Sequence, residues 1–252
     1  GSTFSVGASQ TLGALNGSAG TVNLNGNTLT VGSTSNLDAT FGGVIADGSG
    51  AGSLVKSGSG RLTLSNAANT YSGGTGINAG ILAFSSGAMG SAGNVAFTGG
   101  TLEYASGNTQ DLSARIKNSS GAIIIDTNAN TIAFDGVLDT SDTGGLIKLG
   151  TGSLSLNAAN TYSGDTIINA GALLVNSTLT SASVVVNNLG RLAGSGIISG
   201  SILVDAGGTL DPSTVNGGTG GTLTALNPIT FNAGSAFSVQ LETPATSDRL
   251  AD

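Results

Sequence analysis

The sequence is expected to form an all-β fold, a right-handed parallel β-helix, and three observations lead to that expectation. The first is self-similarity: Leu54-Val55-Lys56-Ser57-Gly58-Ser59-Gly60-Arg61-Leu62-Thr63-Leu64 returns as Leu146-Ile147-Lys148-Leu149-Gly150-Thr151-Gly152-Ser153-Leu154-Ser155-Leu156. The second is period: the apolar pairs Leu62/Leu64, Leu82/Phe84, Leu102/Tyr104 and Ile123/Ile125 recur about every 20 residues, the mark of a solenoid. The third is local alternation. In Leu62-Thr63-Leu64, Leu154-Ser155-Leu156 and Ile132-Ala133-Phe134, apolar and small or polar residues alternate, as in a half-buried strand. No ten-residue stretch carries helical periodicity with good helix formers, which excludes helical repeats.

Along the chain, residues 1–50 show strand-like pattern at irregular spacing. The long repeat then continues past its first strands. Ala67-Ala68-Asn69-Thr70-Tyr71-Ser72-Gly73 matches Ala158-Ala159-Asn160-Thr161-Tyr162-Ser163-Gly164, and Ile77-Asn78-Ala79-Gly80-Ile81-Leu82 matches Ile168-Asn169-Ala170-Gly171-Ala172-Leu173. A shorter unit follows: Val184-Val185-Val186 with Gly190-Arg191-Leu192 recurs as Ile202-Leu203-Val204 with Gly208-Thr209-Leu210. Asn-Gly, Ala-Gly and Ser-Gly pairs between the strands supply the positive φ of tight turns. Asn69, Asn160, Asn78 and Asn169 sit at repeated turn positions, where they either hydrogen-bond to turn backbone or simply tolerate left-handed geometry. Tyr71 and Tyr162 are expected to pack at the same corner of two coils.

Composition narrows the function. Gly, Ser, Thr and Asn supply just over half of the 252 residues, yet 38% are hydrophobic, so the chain can bury a core in narrow strips. His and Cys are absent, which excludes zinc sites built on them, cysteine nucleophiles, Ser-His-Asp triads and disulfides. The net charge of -7 and seven scattered bases leave no stripe to follow a phosphate backbone, so nucleic-acid binding is not expected. No apolar run approaches the roughly 18 residues of a membrane helix.

The long repeat, read as LxKxGxGxLxLxxAANTYSGxTxINAGxL, resembles the passenger-associated repeat of type V autotransporters, also described as the autotransporter-associated β-strand repeat. The stretch from Gly190-Arg191-Leu192-Ala193-Gly194-Ser195-Gly196 to Thr209-Leu210-Asp211-Pro212 resembles a segment common near the passenger C-terminus. The resemblance continues through Gly220-Gly221-Thr222-Leu223-Thr224 and Phe231-Asn232-Ala233-Gly234-Ser235 to Ser247-Asp248-Arg249-Leu250. It implies one β-helical passenger fragment over 1–252, long repeats at 54–84 and 146–175, and C-terminal rungs over 181–250 leading toward an autochaperone and β-barrel absent from this chain. It further implies a protein secreted by, or displayed on, a Gram-negative bacterium, acting as a scaffold or adhesin-type binding module. Its expected partners are a host or bacterial cell-surface protein or glycan and its own outer-membrane β-barrel translocator. The alternative is the passenger region of a secreted toxin or receptor-binding virulence factor. A third reading, a polysaccharide lyase on the same scaffold, is disfavoured by the scarcity of clustered Asp, Lys and Arg.

Candidate chemistry is sparse, and the expectation is no catalytic, cofactor-binding or metal-binding residue and no cofactor. Asp135, Asp139 and Asp142 form the densest acid cluster, read as a solvated loop because its spacing fits no calcium motif. The glycine run Gly217-Gly218-Thr219-Gly220-Gly221 lacks the aspartate such a motif needs. Lys56 and Lys148 are read as edge-guarding or solubilising charges. Asp47, Asp111, Asp165 and Asp205 stand beside small or polar residues and are expected to behave as ordinary solvated acids. Arg61, Arg115 and Lys117 are candidates for an anionic glycan, although nothing in the sequence groups them.

Overall fold

Strands of two to five residues, joined by turns rich in glycine, cannot bury a face alone, and here they stack in parallel, coil upon coil. The structure is a computed structural model; it describes residues 1–32, 36–213, 221–238 and the backbone of 249–251. Parallel sheets form a β-solenoid, and the described residues contain no α-helix, only a three-residue 3-10 turn at Ser113–Arg115. Two compact units divide the chain: Gly1–Gln110 with Arg115–Ile124, and Asp111–Ala114 with Ile125–Asp252.

In the first unit, Gln10–Leu12, Thr28–Val31, Ser53–Lys56, Thr75–Ile77 and Val95–Phe97 make one sheet. Ala39–Phe41, Arg61–Leu64, Ile81–Phe84 and Thr101–Tyr104 stack beside one another in another. The register is strict. Leu62 lies against Leu82 and Leu82 against Leu102, while Leu64, Phe84 and Tyr104 form the neighbouring column. The Phe84 and Tyr104 rings meet edge to face, with centroids 4.7 Å apart.

In the second unit, Leu146–Leu149, Thr166–Ile168, Ser183–Val186, Ser201–Val204 and Ile229–Phe231 are consecutive neighbours in one sheet. Thr131–Phe134, Ser153–Leu156, Gly171–Val175, Gly190–Ala193, Thr209–Asp211 and Ala236–Phe237 form another. Here Ile132, Leu154, Leu173, Leu192 and Leu210 make one fully buried column across five coils. Alternation is strict along Thr131–Phe134, whereas beside Leu173 and Leu192 the neighbours Ala172, Leu174 and Ala193 are buried as well.

Tight corners demand glycine at equivalent places. Gly80 (φ 62°) and Gly171 (φ 64°) occupy the left-handed region. A Cβ there would press on the carbonyls of Gly58 and Gly60 in one repeat, and of Gly150 and Gly152 in the other.

Truncating the middle of an inward column opens a cavity between two coils that cannot collapse without breaking register. Leu173→Ala is expected to cost about 2–5 kcal/mol in urea unfolding. The outward Ser155→Ala is expected to stay within about 0.5 kcal/mol.

Candidate functional site: buried lysine clips and exposed ladders

The same strand–turn chemistry occurs twice. Lys56 shares the inward face with Leu54, and Lys148 shares it with Leu146, because each pair is two residues apart on a strand. Lys56 is 2% exposed and Lys148 0%. The Lys56 Nζ donates to the carbonyls of Ser57 (2.8 Å) and Gly58 (2.8 Å) in its own turn and of Ala79 (3.1 Å) one coil on. Lys148 repeats this with Leu149 (2.7 Å), Gly150 (2.8 Å) and Ala170 (3.2 Å). An ammonium has three protons, and each finds a carbonyl.

This corrects the reading of both lysines as edge-guarding or solubilising charges. They are interior clips that fasten one turn to the next. Burial pulls the Lys148 ammonium down to about 8 while Asp126 opposes the shift; Lys56 is lowered for the same reason, with Asp38 opposing.

The rest of the repeat builds the same corner. Tyr71 is fully buried and its hydroxyl shares a hydrogen bond with Thr75 Oγ1 (2.9 Å); Tyr162 does the same with Thr166 Oγ1 (2.7 Å). Desolvation raises both phenols, Tyr71 to about 12. Asn69 Oδ1 accepts the Ile45 N–H and its Nδ2 donates to the Ala88 carbonyl, so one side chain joins the coils on both sides. Asn160 Oδ1 accepts the Leu138 N–H and its Nδ2 donates to the Ala158 carbonyl. Asn69 and Asn160 therefore bond to backbone, whereas the Asn169 side chain accepts from the Asn187 side chain.

The acids disperse. Asp135 is exposed and takes a hydrogen bond from Asn157 Nδ2 (2.7 Å), whereas Asp139 Oδ1 accepts the Ser141 N–H (2.9 Å). Asp142 is fully buried, which corrects the reading of all three as a solvated loop. Among the described residues no group of three or more His, Cys, Asp or Glu is placed to hold a metal ion. Asp47 also departs from expectation. Its partial burial raises the carboxyl pKa, but the Ser72 hydroxyl and the Gly52 and Ser72 N–H groups outweigh that and hold it below 3.8.

Two of the candidate cations for an anionic ligand, Arg61 and Arg115, are engaged internally. Arg61 forks onto Glu103 across the intervening coil, and Arg115 donates to the carbonyls of Met89, Gly90, Ala92 and Gly93. The run 217–220 and Ser247-Asp248 lie outside the described residues.

Outward rows are the remaining chemistry. Asn169 Oδ1 accepts from Asn187 Nδ2 (2.6 Å) and Asp205 Oδ1 from Asn232 Nδ2 (2.6 Å), giving a column of amides and acids along one edge of a sheet. Asp135, Asn157 and Asn176 form a second such column. Beside the first column, on the same sheet, runs an aliphatic row that sequence reasoning missed: Ile147 against Ile167, Ile167 against Val185, Val185 against Leu203, each partly exposed. Its signal was present in strands such as Ser183-Val184-Val185-Val186, whose apolar run does not alternate.

Fold and site together define a parallel β-solenoid built on repeat-encoded internal clips. Residues 54–84 and 146–175 match the passenger-associated-transport-repeat family. The chain is 34% identical over 151 residues to the "Adhesin BmaC autotransporter" of Brucella suis biovar 1 (strain 1330), which covers 55% of this chain and 4% of that protein. Two proteins named "Extracellular serine protease", both of Serratia marcescens, match at 36% over 114 residues and 37% over 108 residues. The first match covers 45% of this chain, the second 43%, and each covers 10% of the relative. No solved structure matches the chain significantly. The chain carries two of these repeats, is similar to an autotransporter adhesin over 55% of its length, and spans a small part of the length of the relatives it matches.

Lys148→Met keeps the aliphatic stem and strips three partly buried carbonyls of their donor, so a loss of about 1–3 kcal/mol is expected in urea unfolding. The pH dependence has a definite sign. Between about 8 and the unfolded value of 10.5 the unfolded chain holds the Lys148 proton and the folded chain does not. Wild-type stability relative to Lys148→Met should therefore rise across that window. Asp47 gives the same sign at lower pH. Its depressed carboxyl stabilises the fold above pH 3.8, so the advantage of the wild type over Asp47→Asn should vanish as pH falls below that value in matched thermal melts.

Proposed function

We propose that this chain is a secreted or surface-displayed passenger segment whose solenoid holds outward rows for binding a cell-surface protein or glycan, and that it turns over no substrate itself. One observation carries the reading: side chains able to do acid–base or ionic chemistry are spent on fastening the coils. Lys56, Lys148 and Arg115 bond backbone carbonyls, and Arg61 and Arg191 pair with Glu103 and Asp211 across coils. What faces solvent is columns of amides, acids, hydroxyls and aliphatics repeated at about 4.8 Å, suited to many weak simultaneous contacts. The relative named as an adhesin supports the binding role.

A second reading is favoured by the two relatives named extracellular serine proteases. In it the segment is the stalk of a secreted effector, and the receptor or substrate belongs to another part of the protein.

Flow cytometry of the fluorescently labelled chain on host epithelial and Gram-negative cells separates these readings. Saturable binding competed by unlabelled chain is expected for the binding module, and its absence favours the stalk. A hydrolase and lyase screen is expected to show no turnover. Activity abolished by Ala at Asp135, Asp139 or Asp142 with the fold intact would refute the non-catalytic assignment.

A further inference from the structure

We propose that the outward row Ile147, Ile167, Val185 and Leu203 is a docking surface for an amphipathic segment of a partner protein whose apolar ridge is flanked by basic residues. The proposal rests on the reading that this chain works through its surface, and it names the face and the chemistry.

The two long repeats provide an internal control. In the first, the outward row equivalent to Ile147, Ile167 and Val185 is Val55, Gly76 and Ala96, in the same consecutive parallel register. That row is small and mixed, and its coils still stack. Bulky aliphatics outside are therefore not a requirement of the fold. Strands that are aliphatic on both faces are the signature of a parallel sheet covered on both sides. Thr166–Ile168, Ser183–Val186 and Ser201–Val204 have that composition, yet their outer residues are partly exposed to solvent.

Size and charge choose the occupant. Four coils about 4.8 Å apart give a row about 15–20 Å long, and three outward columns about 7 Å apart make it about 14 Å wide. That area is well below the roughly 800 Å² per partner of a stable protein dimer, which argues against a second copy. It suits one helix of about 10–13 residues at 1.5 Å per residue. The columns flanking the row carry Asp165 on one side and Asn169, Asn187 and Asp205 on the other, and no Lys or Arg. An apolar centre with an acidic, acceptor-rich rim complements a ridge bordered by cations.

Two synthetic amphipathic helical peptides with a Leu/Val ridge, one flanked by Lys and its twin by Glu, test this by fluorescence anisotropy. The Lys peptide should bind the wild-type chain, and the Glu peptide at least about tenfold more weakly. Ile167→Thr with Val185→Thr keeps strand propensity and should weaken the Lys peptide at least about tenfold. Asp165→Asn with Asp205→Asn changes only the rim charge and should flatten the salt dependence of binding. Equal affinity for both peptides, no binding of either, or full binding by the Thr variant with an unchanged melt overturns the proposal. Sedimentation showing a wild-type dimer that the Thr variant abolishes also overturns it, in favour of a second copy. Cell binding unaffected by the Thr variant rejects this face and leaves the binding module standing. Peptide binding without cell binding rejects the module and leaves this face standing.

Discussion

The in-register parallel ladder is the constraint on which everything else depends. Each coil hydrogen-bonds to the coil before and the coil after it, so a residue pointing inward must lie on the residue pointing inward one coil away. The interior becomes a set of columns. Leu64, Phe84 and Tyr104 show how a column tolerates growth in side-chain size, because an edge-to-face contact fits two rings where a face-to-face stack would crowd. A column does not tolerate a slip of one residue, which would exchange the inner and outer faces of a whole strand.

Corners are where this constraint becomes difficult to meet. A tight turn swings carbonyls away from the ladder, and a buried carbonyl without a donor is costly. The long repeat solves the problem with side chains. Lys56 and Lys148 each supply three donors to one corner, while Asn69 supplies a donor and an acceptor to two different coils. Gly80 and Gly171 follow Ala79 and Ala170 in the turn, and their left-handed geometry lets the chain close over the ammonium. The recurring K-x-G and N-A-G elements are thus two halves of one contact, separated by a coil of sequence and adjacent in space.

The architecture was legible because period and alternation are backbone properties, and the backbone imposes them on nearly every strand from Ser53–Lys56 onward. The Tyr71 and Tyr162 corner was legible too, since two equivalent residues in a repeat must meet equivalent surroundings. The lysines were misread because the general preference of an ammonium for water was weighed above the local pattern. Alternation in Leu54-x-Lys56 and Leu146-x-Lys148 already placed them with the inward leucines. Asp142 gave no such warning, because its burial arises from tertiary position rather than from any spacing along the chain. The aliphatic row was hidden differently: within one strand its residues look like ordinary core, and only the pairing of strands shows that they share an outer face.

Inner and outer columns therefore answer to different constraints. An inward position answers to the coils on both sides, and equivalent inward residues in the two repeats are correspondingly alike: Leu54 and Leu146, Lys56 and Lys148, Ile77 and Ile168. An outward position answers to solvent and to whatever binds there, and the equivalents diverge: Val55 and Ile147, Gly76 and Ile167, Ala96 and Val185. Since the repeats keep Leu, Lys and Ile at these inward positions while the outer rows differ, the row can change while the solenoid does not. Whatever distinguishes one coil from another in function must then be written on the outside, in residues the fold leaves free.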